Sequence, residues 1–164
     1  GKIIGIIGMG NIGSKVAKIA EAFGMNVCYF STSGTGHCKD YPCLSLEELL
    51  KVSDIVSIHA PLNERTNRLI GKEQLALMKP TAYLVNVGRG AIIVEEDLAE
   101  AVDNGIIAGA GIDVFVQEPI PEDHPYLKMQ HPERMRLTPH IAWASIEARR
   151  RLIDIMADNI RKGW

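Results

Sequence analysis

The chain is predicted to fold as an α/β domain, a doubly wound parallel sheet flanked by helices. Three observations predict it. Short runs rich in Ile, Val and Ala alternate along the 164 residues with stretches whose apolar residues recur at helical spacing. A glycine-rich turn joins the first such run to the first helical stretch. Apolar residues make up 46% of the chain against 23% charged, enough to close a core without disulfides or a metal. Because strand–helix–strand crossovers are right-handed, the alternation places helices on both faces of the sheet.

Strands are expected over 2–7, 25–30, 54–59, 82–87, 106–113 and 135–138, each an apolar run suited to a sheet buried on both sides. Helices are expected over 12–23, over 46–52 behind an N-capping Ser45, over 72–78, over 95–104 ending at Gly105, and over 145–162. Two segments break the alternation: 31–42, polar and glycine-bearing, and 117–132, with prolines at 119, 121, 125 and 132. Long irregular loops in a compact domain are usually functional or mobile. Residues 1–164 are read as one domain.

The net charge is −2, from 18 basic and 20 acidic side chains, so no basic face for nucleic acid is indicated. Cys28, Cys38 and Cys43 are odd in number and contain no C-x-x-C pair, which points away from a disulfide framework or a zinc knuckle and makes a reducing cytoplasm the default. His37, His124 and His131 fall in loops without ligand spacing, and no metal is expected. Uncharged stretches stay below the ~18 residues of a membrane span. The chain starts at Gly1 directly on a strand-like run and is read as a piece of a longer protein.

Gly8, Gly10 and Gly13 form a G-x-G-x-x-G turn that follows a strand pattern and opens a helix, the context of a dinucleotide-binding Rossmann fold. Gly8 would make the turn, Gly10 would admit a pyrophosphate against the backbone, and Gly13 would let the helix pack on its strand. Asn11 and Ile12 complete this set of candidate contacts. The free amides of the helix start then face the anion. The acidic residue expected at the end of the second strand is missing, and Ser31 stands there, followed by Thr32 and Ser33. Hydroxyls in place of a carboxylate tolerate a 2′-phosphate, so NADP is favoured over NAD, although the nearest cation in sequence is Lys39.

Five ordered motifs, GIIGMGNIG at 5–13, HAPLN at 59–63, LVNVGRG at 84–90, AGIDVFVQEP at 110–119 and LTPHIAWAS at 137–145, resemble the nucleotide-binding domain of the D-isomer-specific 2-hydroxyacid dehydrogenases. Trp143 and Ala144 after His140, with the EARRRL run, look most like glycerate dehydrogenases and hydroxypyruvate or glyoxylate reductases. The resemblance implies an NAD(P)-dependent interconversion of 2-keto acids and D-2-hydroxy acids, a homodimer, and a substrate domain that this chain lacks and without which it turns over poorly.

It implies three catalytic residues. Arg89, flanked by glycines that let a ligand approach, would hold the substrate carboxylate in a two-pronged fork. His140 would protonate the carbonyl oxygen, and Glu118 would fix its tautomer and favour its imidazolium. Cofactor contacts are implied at His59, Ala60, Pro61, Thr66, Val87, Gly88, Arg89, His140 and Ala142, and at Asp113 toward the nicotinamide amide, where the alternative is a loop cap. Thr66 is otherwise at the interdomain surface. Trp143 would close over the nicotinamide or pack a dimer partner. Arg149, Arg150 and Arg151 point in different directions around a helix and read as solvated or as subunit contacts. Two rival readings are a non-catalytic dinucleotide sensor or corepressor on the same fold, and a Rossmann methyltransferase.

Overall fold

A computed structural model describes residues 1–36 and 38–163; His37, read above as a loop residue, lies outside the described residues. The β-branched run Ile3–Ile7 forms β1, and its alternate side chains go to opposite faces. Ile4 and Ile6 meet Ala17 and Ala20 of α1 (Asn11–Ala22), while Ile7 joins a larger core on the other side. The chain continues through β2 (Asn26–Phe30), α2 (Leu46–Val52), β3 (Ile55–Ile58), α3 (Lys72–Ala76) and β4 (Tyr83–Asn86). It ends with α4 (Glu95–Asp103), β5 (Gly109–Ile112), β6 (Met135–Leu137) and α5 (Ile146–Lys162).

The strands form one sheet in the order β2-β1-β3-β4-β5-β6, with every neighbouring pair parallel. The order reverses between β1 and β3, which opens a crevice beyond their C-terminal ends where an open sheet of this kind binds ligands. Leu49 and Leu50 of α2, Leu75 of α3 and Leu98 and Val102 of α4 are fully buried on one face. Each such side chain contributes about 1.5–3 kcal/mol by leaving water.

The expected strands are shortened mainly at their ends. The run at 106–113 pairs only from Gly109, because Gly105 turns the chain through φ +68 after α4. Helix α3 stops at Ala76, where the N–H groups of Leu77 and Met78 tighten onto Gln74 and Leu75. Ser45 caps α2 as expected, accepting from Glu48 N while the Glu48 carboxylate accepts from Ser45 N at 3.0 Å.

Coverage of both faces is only partly realised. Over the second face, α1 packs on β1 and β2, and α5 buries none of its residues: Ile153 and Ile160 are 65% and 68% exposed. Arg149, Arg150 and Arg151 are all exposed on it. Of the cysteines, Cys28 is buried, which pushes its thiol up, Cys38 is half-buried and Cys43 exposed; all are unpaired. Among the described residues no helix is long and apolar enough to cross a membrane.

Candidate active site

The glycine turn sits at the crevice. Gly8 has φ +94, a conformation L side chains rarely adopt, and a Cβ there would lie 2.8 Å from the Ala60 backbone. A Cβ on Gly13 would lie only 2.2 Å from the Gly8 carbonyl oxygen, so α1 can start this close to β1 only without one. Gly10 differs, because a Cβ there would meet no protein atom within 4 Å. It is also the N-cap of α1, with no side chain capping the first turn and no acidic residue within it. The helix start at Asn11 therefore presents its unpaired N–H groups to open space, which suits a pyrophosphate.

Next to the turn, Ile12, His59, Ala60, Pro61, Val87, Gly88 and Arg89 line one cleft of about 380 Å³. His59 hydrogen-bonds Ser57 Oγ through Nε2 at 2.9 Å, while its buried Nδ1 has no partner among the described residues. Burial pushes its pKa down, which favours the neutral ring. Thr66 departs from its expected place. It is fully buried, donating to the Pro61 carbonyl at 2.7 Å and accepting from Asn63 N at 2.9 Å. Its small hydroxyl knots the turn that carries the cleft wall, so it acts on that turn and not at a surface.

Arg89 is exposed at the C-terminal end of β4, with Nη1 donating to the Gly88 carbonyl at 2.7 Å. Asn86, which the sequence reading did not single out, sets this loop: its Oδ1 accepts from Gly88 N and its Nδ2 donates to Arg89 O, both at 3.0 Å. A lone amide closing the apolar run YLVN, here 1% exposed, was the available signal. The flanking glycines are a correction as well. A Cβ on Gly90 would fall 2.0 Å from the Phe115 backbone and one on Gly88 3.0 Å from Ala60 O. They serve chain-on-chain packing, which seats the Arg89 loop directly against the segment that carries Glu118.

After β5 and β6 the loops converge on His140. Its Nδ1 lies 2.7 Å from Glu118 Oε2, and Glu118 Oε1 accepts from Phe115 N at 2.9 Å. The hydrogen bond from His140, then that from Phe115, hold the Glu118 carboxyl below its ordinary value. His140 itself has φ +53, an uncommon conformation for a non-glycine residue. What holds it there is Asp113, 4% exposed, which accepts from the Thr138 hydroxyl and from Ile141 N and Ala142 N at 2.9 Å each. Burial alone would raise the Asp113 pKa, but these hydrogen bonds outweigh it and lower the value. Asp113 thus clamps the loop, and the Ala142 amide is one of the groups it holds. The Trp143 indole adds a bond to the His140 carbonyl at 2.9 Å.

Replacing Asp113 by alanine leaves these donors unmatched, and the unfolding free energy is expected to fall by about 1–3 kcal/mol. Because the folded pKa lies below the unfolded one, the carboxylate contributes fully above the ordinary value of 3.8 and is lost as pH falls through the lower folded value. Urea unfolding across pH tests this; equal stability of wild type and Asp113→Ala near neutrality would contradict it.

Behind Glu118, His124 is 4% exposed, with Nε2 3.2 Å from Glu95 Oε2 and its ring edge-on to Phe115. Glu95 Oε1 also accepts from Val116 N at 3.0 Å. The proline-rich loop is therefore anchored on both sides of Glu118. The dyad forms part of the wall of an apolar cavity of about 430 Å³ together with Phe115, Ile120 and Leu137. Among the described residues no group of three His, Cys, Asp or Glu could hold a metal ion.

The sequence model of the NAD binding domain of D-isomer specific 2-hydroxyacid dehydrogenases matches residues 1–142. A glyoxylate reductase from Korarchaeum cryptofilum is 45% identical over 163 residues, covering 98% of this chain and 48% of that protein. A glycerate dehydrogenase from Methylorubrum extorquens is 42% identical over 160 residues, 98% of this chain and 49% of that one. The NADPH-dependent glyoxylate/hydroxypyruvate reductase from Sinorhizobium meliloti, solved with citrate, superposes with a TM-score of 0.87 at 32% identity, covering 98% of this chain and 50% of that one. The chain thus spans about half the length of the relatives it matches. With most of its length inside the family's sequence model, and with these relatives, the chain belongs to the D-isomer specific 2-hydroxyacid dehydrogenases as their NAD binding domain.

Proposed function

We propose that the chain provides the dinucleotide site and the proton-transfer dyad of an NAD(P)-dependent reductase that converts a 2-keto acid to a D-2-hydroxy acid, with hydroxypyruvate and glyoxylate as the favoured substrates. The observation that carries this reading is the 2.7 Å Glu118–His140 contact, clamped by Asp113 at the same edge of the sheet as the open helix start at Gly10. A sensor without chemistry has no use for a proton donor held in this way. The names of the relatives supply the substrate class.

The bound nicotinamide supplies or accepts the hydride. Arg89 holds the substrate carboxylate, since a guanidinium has five N–H donors and, among the described residues, only the contact from Nη1 to Gly88 engages it. With Nδ1 committed to Glu118, His140 presents Nε2 to the carbonyl oxygen and donates its proton there as the alkoxide develops. In the reverse direction the same nitrogen takes the hydroxyl proton. The ribose end of the cofactor faces Ser31, Thr32 and Ser33, and NADP is the preferred form.

The test is loss of reduced-nicotinamide absorbance when the full-length protein is given hydroxypyruvate or glyoxylate. Turnover with either is expected. Tight cofactor binding without turnover would favour the sensor reading instead.

A further inference from the structure

We propose that Arg65, from the loop after β3, is the cation that recognises the 2′-phosphate of NADP(H). This inference rests on the dinucleotide reading and goes beyond it by naming the specificity residue. The first residues after β2 include neither an acid to repel a phosphate nor an arginine to bind one: Ser31, Thr32 and Ser33 are followed by Gly34 and Thr35, with Lys39 and Asp40 further along the loop. The fold brings the missing charge from 32 residues further along the chain, where Arg65 Nη1 donates to the Ser33 carbonyl at 3.0 Å.

The placement is built from below. Thr66, fully buried, ties Pro61 to Asn63, and Asn63 Oδ1 accepts from Arg65 N at 2.9 Å, which fixes where the arginine leaves the backbone. Thr32, Ser33, Asn63, Glu64 and Arg65 together line a concave space of about 330 Å³ beside the end of β2, where a ribose is read in this fold. Gly34, at φ +86, has no Cβ; one there would stand 3.3 Å from Arg65 Nη1, so the glycine leaves the guanidinium its room. The guanidinium is a planar fork that matches a phosphomonoester in two-pronged geometry, and the neighbouring Thr32 hydroxyl is suited to a remaining oxygen, while the Ser33 hydroxyl is engaged with Ser31 and the Thr35 carbonyl. Glu64 lines the same space and opposes an anion, so it sets an upper limit on affinity.

The experiment is calorimetric titration of the full chain with NADPH, NADH, 2′,5′-ADP and 5′-AMP. Wild type is expected to prefer NADPH over NADH and 2′,5′-ADP over 5′-AMP. Arg65→Ser is expected to weaken NADPH and 2′,5′-ADP by about tenfold or more while leaving NADH within about twofold. Arg65→Lys should recover part of the loss, Glu64→Gln should tighten NADPH alone, and Ser31→Asp should turn the preference toward NADH. An Arg65→Ser variant that weakens NADPH and NADH equally would show that Arg65 only braces the loop, and one that changes neither would overturn the proposal outright. Wild type that binds NADH and not NADPH sinks the proposal and leaves the dinucleotide reading standing; binding of neither sinks both.

Discussion

Replacing His140 with asparagine in the full-length protein is expected to lower kcat for 2-keto acid reduction by about 10²–10⁴-fold, the usual worth of a positioned general acid. Cofactor affinity should stay within about twofold, because the proposed dinucleotide contacts centre on the glycine turn and the loop after β3. Asparagine is chosen for a structural reason. His140 holds φ +53, and asparagine tolerates that conformation better than alanine, so the bonds of Ile141 and Ala142 to Asp113 survive the change. Loss of activity then reports the missing proton and not a collapsed loop. A variant that retained wild-type kcat would remove His140 from the chemistry, and one that lost cofactor binding as well would show that the loop serves the dinucleotide first.

Arg89→Ala is expected to lower kcat/KM by about a hundredfold or more, mostly through KM, since a two-pronged charge-assisted contact is lost. Arg89→Lys should recover little, because an ammonium is a point charge without the fork. The backbone around the position is secured independently by Asn86 and by the packing of Gly90 on Phe115, so the side chain can be removed without freeing its loop. Steady-state kinetics with hydroxypyruvate checks this, and an unchanged KM would contradict the anchor role.

The sheet was legible because the buried strands are apolar runs and some helices carry a start or stop signal, as Ser45 does for α2 and Gly105 after α4. The glycine turn was legible because part of its sterics is local: Gly8 holds φ +94, and a Cβ on Gly13 would meet the Gly8 carbonyl oxygen; the approach of Gly8 to Ala60 is not written in the local sequence. The Glu118–His140 pairing came from the family resemblance and was placed by the fold, since nothing in 22 residues of separation states that two loops converge. Other features escaped for the same reason. Arg65 reaches Ser33 from another strand's loop, and the glycines beside Arg89 touch Phe115 and Ala60, partners that no local pattern names. The resemblance implied a cofactor contact or an interdomain-surface place for Thr66, and its local role, a hydroxyl at the centre of its own turn, was not read. Helix α5 was expected over the sheet with the other helices from the strand–helix alternation, with no residue-level argument for its own packing. Spacing tells which side is apolar and says nothing of what lies opposite.

The most direct test of the account is the configuration of the product formed when the full-length protein reduces hydroxypyruvate. In the proposed reading Arg89 holds the carboxylate and His140 the carbonyl oxygen of a planar 2-keto acid, and a nicotinamide bound on one side of that plane would deliver hydride to one face only. The account predicts D-glycerate as the single product; L-glycerate, or a mixture of both, would contradict it.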